Sequence, residues 1–442
     1  MTGLAVWGGT VLSPVGPVRC DVFLSGGRIV SVDSSVGTTG TGHGGPGGRS
    51  ENGTVGAGAE RSVVDAPAKD DAVPVVGVSP PAAGGVSGSA VSGRAGARLD
   101  ATNLLVVPGI VDLQCNGAVG VDITTEPERV WEVAAALPRW GVTAWLPTVV
   151  TAPPGVRARA LSALRSGPPH DDIAIATPLG LHLEGPFLAR ERKGAHDSGH
   201  LVAPSVEMID GEGWSRDAGV ALVTLAPELP GALDLVRVLA DRRVVVSAGH
   251  SSATAAEATA AIDAGVTYVT HLFNAMAPLH HRDPGLAGVA LTDERVRAGV
   301  IADGLHVAPA VVALAARALG DRLSLVTDAV AALGAPPGPV RLGDLTATVS
   351  PDDGAVRLAD GTLAGSTLSL DRAVRNLVAF AGASLAEAVG AVTSTPAAVL
   401  GLPDRGVIAP GAVGDLVLLT PAGEVVATVI GGRVAYDARA AA

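Results

Sequence analysis

The sequence predicts an α/β fold, a (β/α)8 TIM-like barrel carrying a small β-sandwich domain built from both chain termini, and three observations predict it. Eight strand-like apolar runs follow Asn103, Ala-rich amphipathic stretches separate many of them, and both chain ends consist of short β-branched runs broken by glycine and proline. The runs are NLLVVPGIVDLQCNG, VTAWLPTVV, LGLHLEG, ALVTLAPE, RVVVSAGH, VTYVTHLFN, AGVIADG and LSLVTDA. Their near-continuous hydrophobicity fits parallel strands buried on both faces. Between them, SSATAAEATAAIDAG and VAPAVVALAARALGDR repeat apolar residues at helical spacing and carry glycine at or near their ends.

The remaining segments divide the chain. Residues 1–36 and 97–107 read as the N-terminal part of the sandwich, 108–400 as the barrel, and 401–442, with PGAVGDLVLLTPAGEVVATVIGGRVAYD, as the C-terminal part. Residues 37–96 shift to Gly, Ser, Ala, Pro and Thr, as in GTTGTGHGGPGGRSENG, with too few contiguous apolar residues to offset ordering entropy. They read as a disordered insertion, and His43 within them as a solvated loop histidine. Deleting residues 38–95 is therefore expected to leave kcat nearly unchanged, because loop-closure entropy varies slowly with length. A large loss of activity or folding on deletion would contradict this.

Composition limits the partners. A chain of 442 residues, 48% hydrophobic, can bury a large core, and a net charge of −12 with pI near 5.3 argues against nucleic acid or an anionic membrane surface. Cys20 and Cys115 are too few for a disulfide framework, and MTGLAVWGGT lacks the features of a signal peptide. Apolar runs are interrupted well before the roughly 18–20 residues of a membrane span. A reduced, cytoplasmic protein is expected.

Eight of the ten histidines fall between His182 and His306, several where a strand-like run ends. In this barrel, residues ending different strands converge on one mouth. Glu184, His250, His271 and Asp328 all occupy that level. One carboxylate and two neutral imidazoles suit Zn²⁺ with a position left for water, whose pKa can fall from 15.7 to about 7, and a nearby carboxylate can carry its proton. Metal-assisted hydrolysis is the expected chemistry.

The segments HLEGPF (182–187), KGAH (193–196), AGHSSAT (248–254), THLFNAM (270–276), PGLAG (284–288), IADGLH (301–306) and LVTDA (325–329) resemble the N-acetylglucosamine-6-phosphate deacetylases of the amidohydrolase superfamily. The resemblance runs in order over essentially everything but the insertion. It implies that Glu184, His250 and His271 bind the divalent ion, that Asp328 activates water and protonates the amine, and that His196 lies near the amide carbonyl or sugar. It places Ala195, Asn274, Ala275, Arg282, the IADGLH segment with Asp303, Gly304, Leu305 and His306, and Leu363, Ala364 and Gly365 at the sugar phosphate. Arg282 and His306 suit a phosphate chemically. The implied substrate is a phosphorylated amino sugar and the implied assembly a homodimer.

Many amidohydrolases carry His-x-His at the first barrel strand; this chain has Gln114, Cys115 and Asn116. Amides are poor zinc ligands, so one ion per subunit is expected, Zn²⁺ first, with Fe²⁺, Co²⁺ or Mn²⁺ accepted by the same donors. Cys115 reads as a core thiol facing away from its neighbours. His182 reads as a hydrogen-bonded barrel histidine, His280 and His281 as loop residues beside Arg282, His170 as a solvated loop residue and His200 as part of a flexible loop. Lys193 falls in a loop, away from the role of a carboxylated metal bridge. Two competing readings are an amidohydrolase acting on another amide, which lacks a use for Arg282 and His306, and a non-catalytic sugar-phosphate sensor, which has no need of the complete ligand set.

Overall fold

A computed structural model describes residues 3–13, 16–34, 96–170, 173–336, 338–350 and 353–440. The expected insertion at 37–96, apart from Gly96, lies outside the described residues, as does His43.

Each of the eight apolar runs supplies one parallel barrel strand: β1 (Ile110–Cys115), β2 (Val142–Val150), β3 (Leu181–Glu184), β4 (Val220–Leu225), β5 (Val245–Ala248), β6 (Val266–Val269), β7 (Arg297–Val300) and β8 (Leu323–Leu325). They pair consecutively from β1 to β8. Burial on both faces explains the apolar runs: β2 is buried at every one of its nine positions. Just past the strand ends, a parallel bridge between Cys115 and Ala329 closes the ring, and the Asp328 N–H donates to the Gln114 carbonyl at 2.9 Å. The Thr327 hydroxyl donates to the buried Asp112 carboxylate at 2.6 Å. The seam of the barrel thus fixes the backbone on either side of Asp328.

The two Ala-rich stretches form the helices Ala255–Ala264 and Pro309–Leu319. Thr254 and Glu257 close a reciprocal capping box on the first, and the second starts on proline, whose missing N–H costs nothing at that position. Among the described residues no helix is long and apolar enough to cross a membrane.

Both chain ends meet in one eight-stranded sheet. Its path runs Arg433–Asp437, Val425–Ile430, Leu416–Leu419, Leu105–Pro108, Leu4–Ser13, Gly16–Ser25, Arg28–Ser34, and Ala97–Asp100 pairs with Leu4–Ser13. Its strands bury Val6, Val22, Val106, Leu416 and Val429 in a core of their own. The Gly411 and Gly414 N–H groups donate to the carbonyls of Ile29 and Gly27, which ties the C-terminal segment to the far edge of the sheet. Gly109 is the junction with the barrel: a Cβ there would lie 2.2 Å from Thr143 Oγ1 and 2.7 Å from Asp415 Cβ, so only glycine lets the chain pass.

An element the apolar patterning does not show is a three-stranded antiparallel sheet of Pro339–Leu342, Leu345–Val349 and Val356–Arg357. It packs Val340, Leu342, Ala347 and Val356 with Val150 of β2 and Val330–Ala332 after β8. The barrel mouth thereby gains an apolar cover on one side.

Candidate active site

The mouth gathers Glu184 from the end of β3, His250 two residues past β5 and His271 two past β6. His271 Nε2 is 2.9 Å from Glu184 Oε1, His250 Nε2 is 3.2 Å from the same oxygen, and the two Nε2 atoms are 3.0 Å apart. All three side chains are buried. His250 Nδ1 faces the Arg192 carbonyl at 2.9 Å, an acceptor, so the proton sits on Nδ1 and the Nε2 lone pair points at the carboxylate. A lone pair, a second imidazole nitrogen and a carboxylate oxygen converging at these separations suit a tetrahedral cation at about 2.0–2.2 Å from each. The donor set therefore fits a divalent metal, and among the described residues these buried side chains are grouped closely enough to hold one.

Burial pushes the Glu184 carboxyl up, but its surrounding contacts, His196 first, outweigh that and hold it well below the usual carboxylate range. Asp328, past β8, is pushed up to about 6, by burial first and then by the Glu184 charge. A cation in the triangle would offset that second cause and favour the ionised form.

The first strand supplies braces rather than ligands. Gln114 Nε2 donates to Glu184 Oε1 at 2.9 Å and to Asp328 Oδ1 at 3.2 Å, while its own Oε1 accepts from the Thr270 hydroxyl. Asn116 Nδ2 donates to Asp328 Oδ1 at 2.7 Å. Both amides present N–H groups to the carboxylates; the Gln114 oxygen is taken by Thr270, while the Asn116 oxygen is buried without a partner.

His196 is oriented from β2. The Thr151 N–H donates to His196 Nδ1 at 3.2 Å, so that nitrogen is the acceptor and the proton rests on Nε2, 3.6 Å from Glu184 Oε2. Burial, and next the neighbouring His250, push its pKa down to about 4, so the ring is a neutral donor at physiological pH. The Lys193 ammonium donates to the carbonyls of Gly194 and His196, holding that loop.

Backbone strain concentrates here. His250 (φ 49°), His271 (φ 22°), Phe273 (φ 78°), Ala275 (φ 50°) and Asp328 (φ 47°) all adopt positive φ, which costs non-glycine residues free energy and persists where surrounding contacts impose it.

One cavity unites the triangle with Asp328, His196, Ala195, Asn274, Ala275, His306, Leu363 and Gly365. Of the residues the resemblance places at the phosphate, Arg282, Asp303, Gly304, Leu305 and Ala364 stand outside its lining. The Asp303 carboxylate accepts from the backbone of Leu305 and His306 and from His306 Nδ1 at 2.6 Å, so it shapes the IADGLH turn and aims His306. Leu305 is 41% exposed and Ala364 is fully buried. Arg282 sits on an exposed turn, against His281 Nε2 at 2.8 Å.

Other expectations resolve simply. His182 is buried with Thr224 at 2.8 Å and Thr148 at 3.4 Å, and Cys115 is a buried thiol that desolvation pushes well up. His200 is not loose: its Nε2 meets Asp344 Oδ2 of the hairpin at 2.9 Å. Residue-by-residue reading missed Val150, Leu342 and Thr362, which line the cavity, and Thr151 and Thr270, which hold His196 and Gln114. A threonine following a strand is too common a signal to single out.

The comparisons agree with this geometry. The amidohydrolase family model matches residues 105–435. The chain is 40% identical over 361 residues to N-acetylglucosamine-6-phosphate deacetylase from Homo sapiens, covering 78% of this chain and 86% of that protein. It is 39% identical over 305 residues to N-acetylgalactosamine-6-phosphate deacetylase from Escherichia coli O157:H7, covering 67% and 78% respectively. Among solved structures, N-acetylglucosamine-6-phosphate deacetylase from Thermotoga maritima matches with a TM-score of 0.78 at 30% identity, covering 98% of this chain and all of that one. A strand-end triad of carboxylate and imidazoles in a parallel barrel, matched over most of its length by such relatives, places this chain in the amidohydrolase family, among its N-acetylglucosamine-6-phosphate deacetylases.

Proposed function

We propose that the chain hydrolyses the acetamide of N-acetyl-D-glucosamine 6-phosphate to D-glucosamine 6-phosphate and acetate, in amino-sugar catabolism or cell-wall recycling. The observation that carries this is the buried Glu184–His250–His271 triangle with Asp328 braced beside it. Glu184, His250 and His271 would hold one divalent ion, Zn²⁺ in the first instance. When bound, the ion supplies Lewis-acid polarisation and lowers the pKa of water. Asp328 takes the proton of the attacking water and returns it to the departing amine nitrogen, and its second oxygen is available because both amide braces converge on Oδ1. The neutral His196 donates a hydrogen bond from its Nε2–H to the acetyl carbonyl oxygen as negative charge grows there.

The sugar phosphate is bound by His306, Asn274, the Ala195 and Ala275 backbone and the Leu363–Gly365 segment. Arg282, exposed and outside the lining of its own chain's cavity, completes the phosphate site across the interface of a homodimer. Arg282→Ala is expected to raise KM for the phosphorylated sugar about 10- to 100-fold with kcat little changed, because the contact exists equally in ground and transition states. A proportional fall in kcat instead would move Arg282 into the chemistry.

Amine release from N-acetylglucosamine 6-phosphate, compared with the unphosphorylated sugar, tests the assignment. Fast turnover of the phosphorylated sugar alone supports it, and equal turnover of both removes the phosphate site. The similarity to an N-acetylgalactosamine-6-phosphate deacetylase makes the 4-epimer the second substrate to assay.

A further inference from the structure

We propose that Val150 and Leu342 form an acyl subsite that receives the acetyl methyl group and sets the length of acyl chain the enzyme accepts. The inference rests on the deacetylase reading and extends it to a part of the substrate for which no residue has yet been assigned.

The barrel divides the cavity by chemistry. Asn274 and Ala275 follow β6, His306 follows β7, and Leu363 and Gly365 follow β8, through the bridge between Ala329 and Ser366. These are the groups that suit the sugar phosphate. On the β2–β3 side, β2 ends in Val150, which pairs in register with Glu184 of β3. Residues paired this way in parallel strands point to the same face, so Val150 stands beside the carboxylate of the triangle. It is 5% exposed and lines the same cavity.

Leu342 completes this wall from above. It is also 5% exposed, lines the cavity, and belongs to one apolar cluster with Val150, against which Ala195 packs. The hairpin that carries it is anchored: the Gly343 N–H donates to the buried Asp122 carboxylate at 2.9 Å. Gly343 (φ 55°) lets the turn descend so far that a Cβ there would be 3.3 Å from Val150 Cγ2. The wall is therefore fixed.

The reaction geometry points the methyl at this wall. Thr151, next to Val150, orients His196, so the carbonyl oxygen lies on the β2–β3 side, and the nitrogen must lie toward Asp328 and the sugar. The methyl is the remaining substituent of the acyl carbon, and Val150 and Leu342 supply the apolar side chains that line the cavity beside the triangle. A fixed apolar wall discriminates by about 10- to 200-fold for each methylene it must refuse.

The test uses the metal-loaded full chain with N-formyl, N-acetyl, N-propionyl and N-butyryl glucosamine 6-phosphate. Wild type should lose kcat/KM by at least about 10-fold at each step beyond acetyl. Leu342→Ala and Val150→Ala should raise the butyryl-to-acetyl ratio at least about 10-fold, and Val150→Leu should lower the acetyl-to-formyl ratio by a similar factor. Should an alanine variant fail to fold, Val150→Leu still decides, because it fills space without opening any. Unchanged ratios in variants that still hydrolyse the acetyl substrate would overturn the subsite and leave the deacetylase reading standing. Wild-type protein that hydrolyses none of the four would overturn that reading itself.

Discussion

Replacing Asp328 with asparagine should lower kcat by about 10²- to 10⁴-fold while metal and substrate remain bound. Asparagine keeps the shape of the site, since its carbonyl oxygen can accept from both Asn116 Nδ2 and Gln114 Nε2 as Oδ1 does now. Its amide nitrogen then stands where the second carboxylate oxygen was, and cannot take a proton from water. Steady-state kinetics with metal analysis on the same sample check this. Loss of the ion would make Asp328 a ligand first, and near-normal kcat would pass the proton to another group, with His196 the next candidate.

A second large effect is expected from Glu184→Gln. The change removes the one anionic member of the triangle, and the single remaining carbonyl oxygen must serve both the Gln114 Nε2 donor and any cation. Removing even a hydrogen-bonding neighbour of a metal ligand costs 10- to 100-fold in affinity, so losing a ligand should cost at least about 100-fold, with kcat/KM falling alongside. Dialysis followed by metal analysis reads the affinity directly. Retention of a full equivalent after dialysis would show that Glu184 is not a ligand.

The barrel and the triangle were legible for the same reason. A parallel strand buried on both faces writes itself as an unbroken apolar run, and a functional side chain at its end interrupts that run at a definable place. Glu184, His250, His271 and Asp328 each do so. What escaped depends on register across elements distant in sequence. Thr151 holds His196 from 45 residues away, and Thr270 holds Gln114 across 156. The hairpin of 339–357 escaped because its strands are short and only alternately buried, so no long apolar run marks it. His200 read as loose because nothing local shows Asp344 meeting it. Arg282 was singled out by its type and motif, but its place on an exposed turn outside the cavity lining is something composition does not encode.

The most direct test of the central claim, a single-ion amidohydrolase acting on a phosphorylated amino sugar, is a metal titration of the chelated protein. Acetate and amine release from N-acetylglucosamine 6-phosphate should be absent without metal, rise linearly with added zinc, and reach a plateau at one equivalent per chain, with the two products in equal amounts. Full activity without metal, or a plateau only at two equivalents, would contradict the account, because it assigns one ion to the buried triangle of Glu184, His250 and His271.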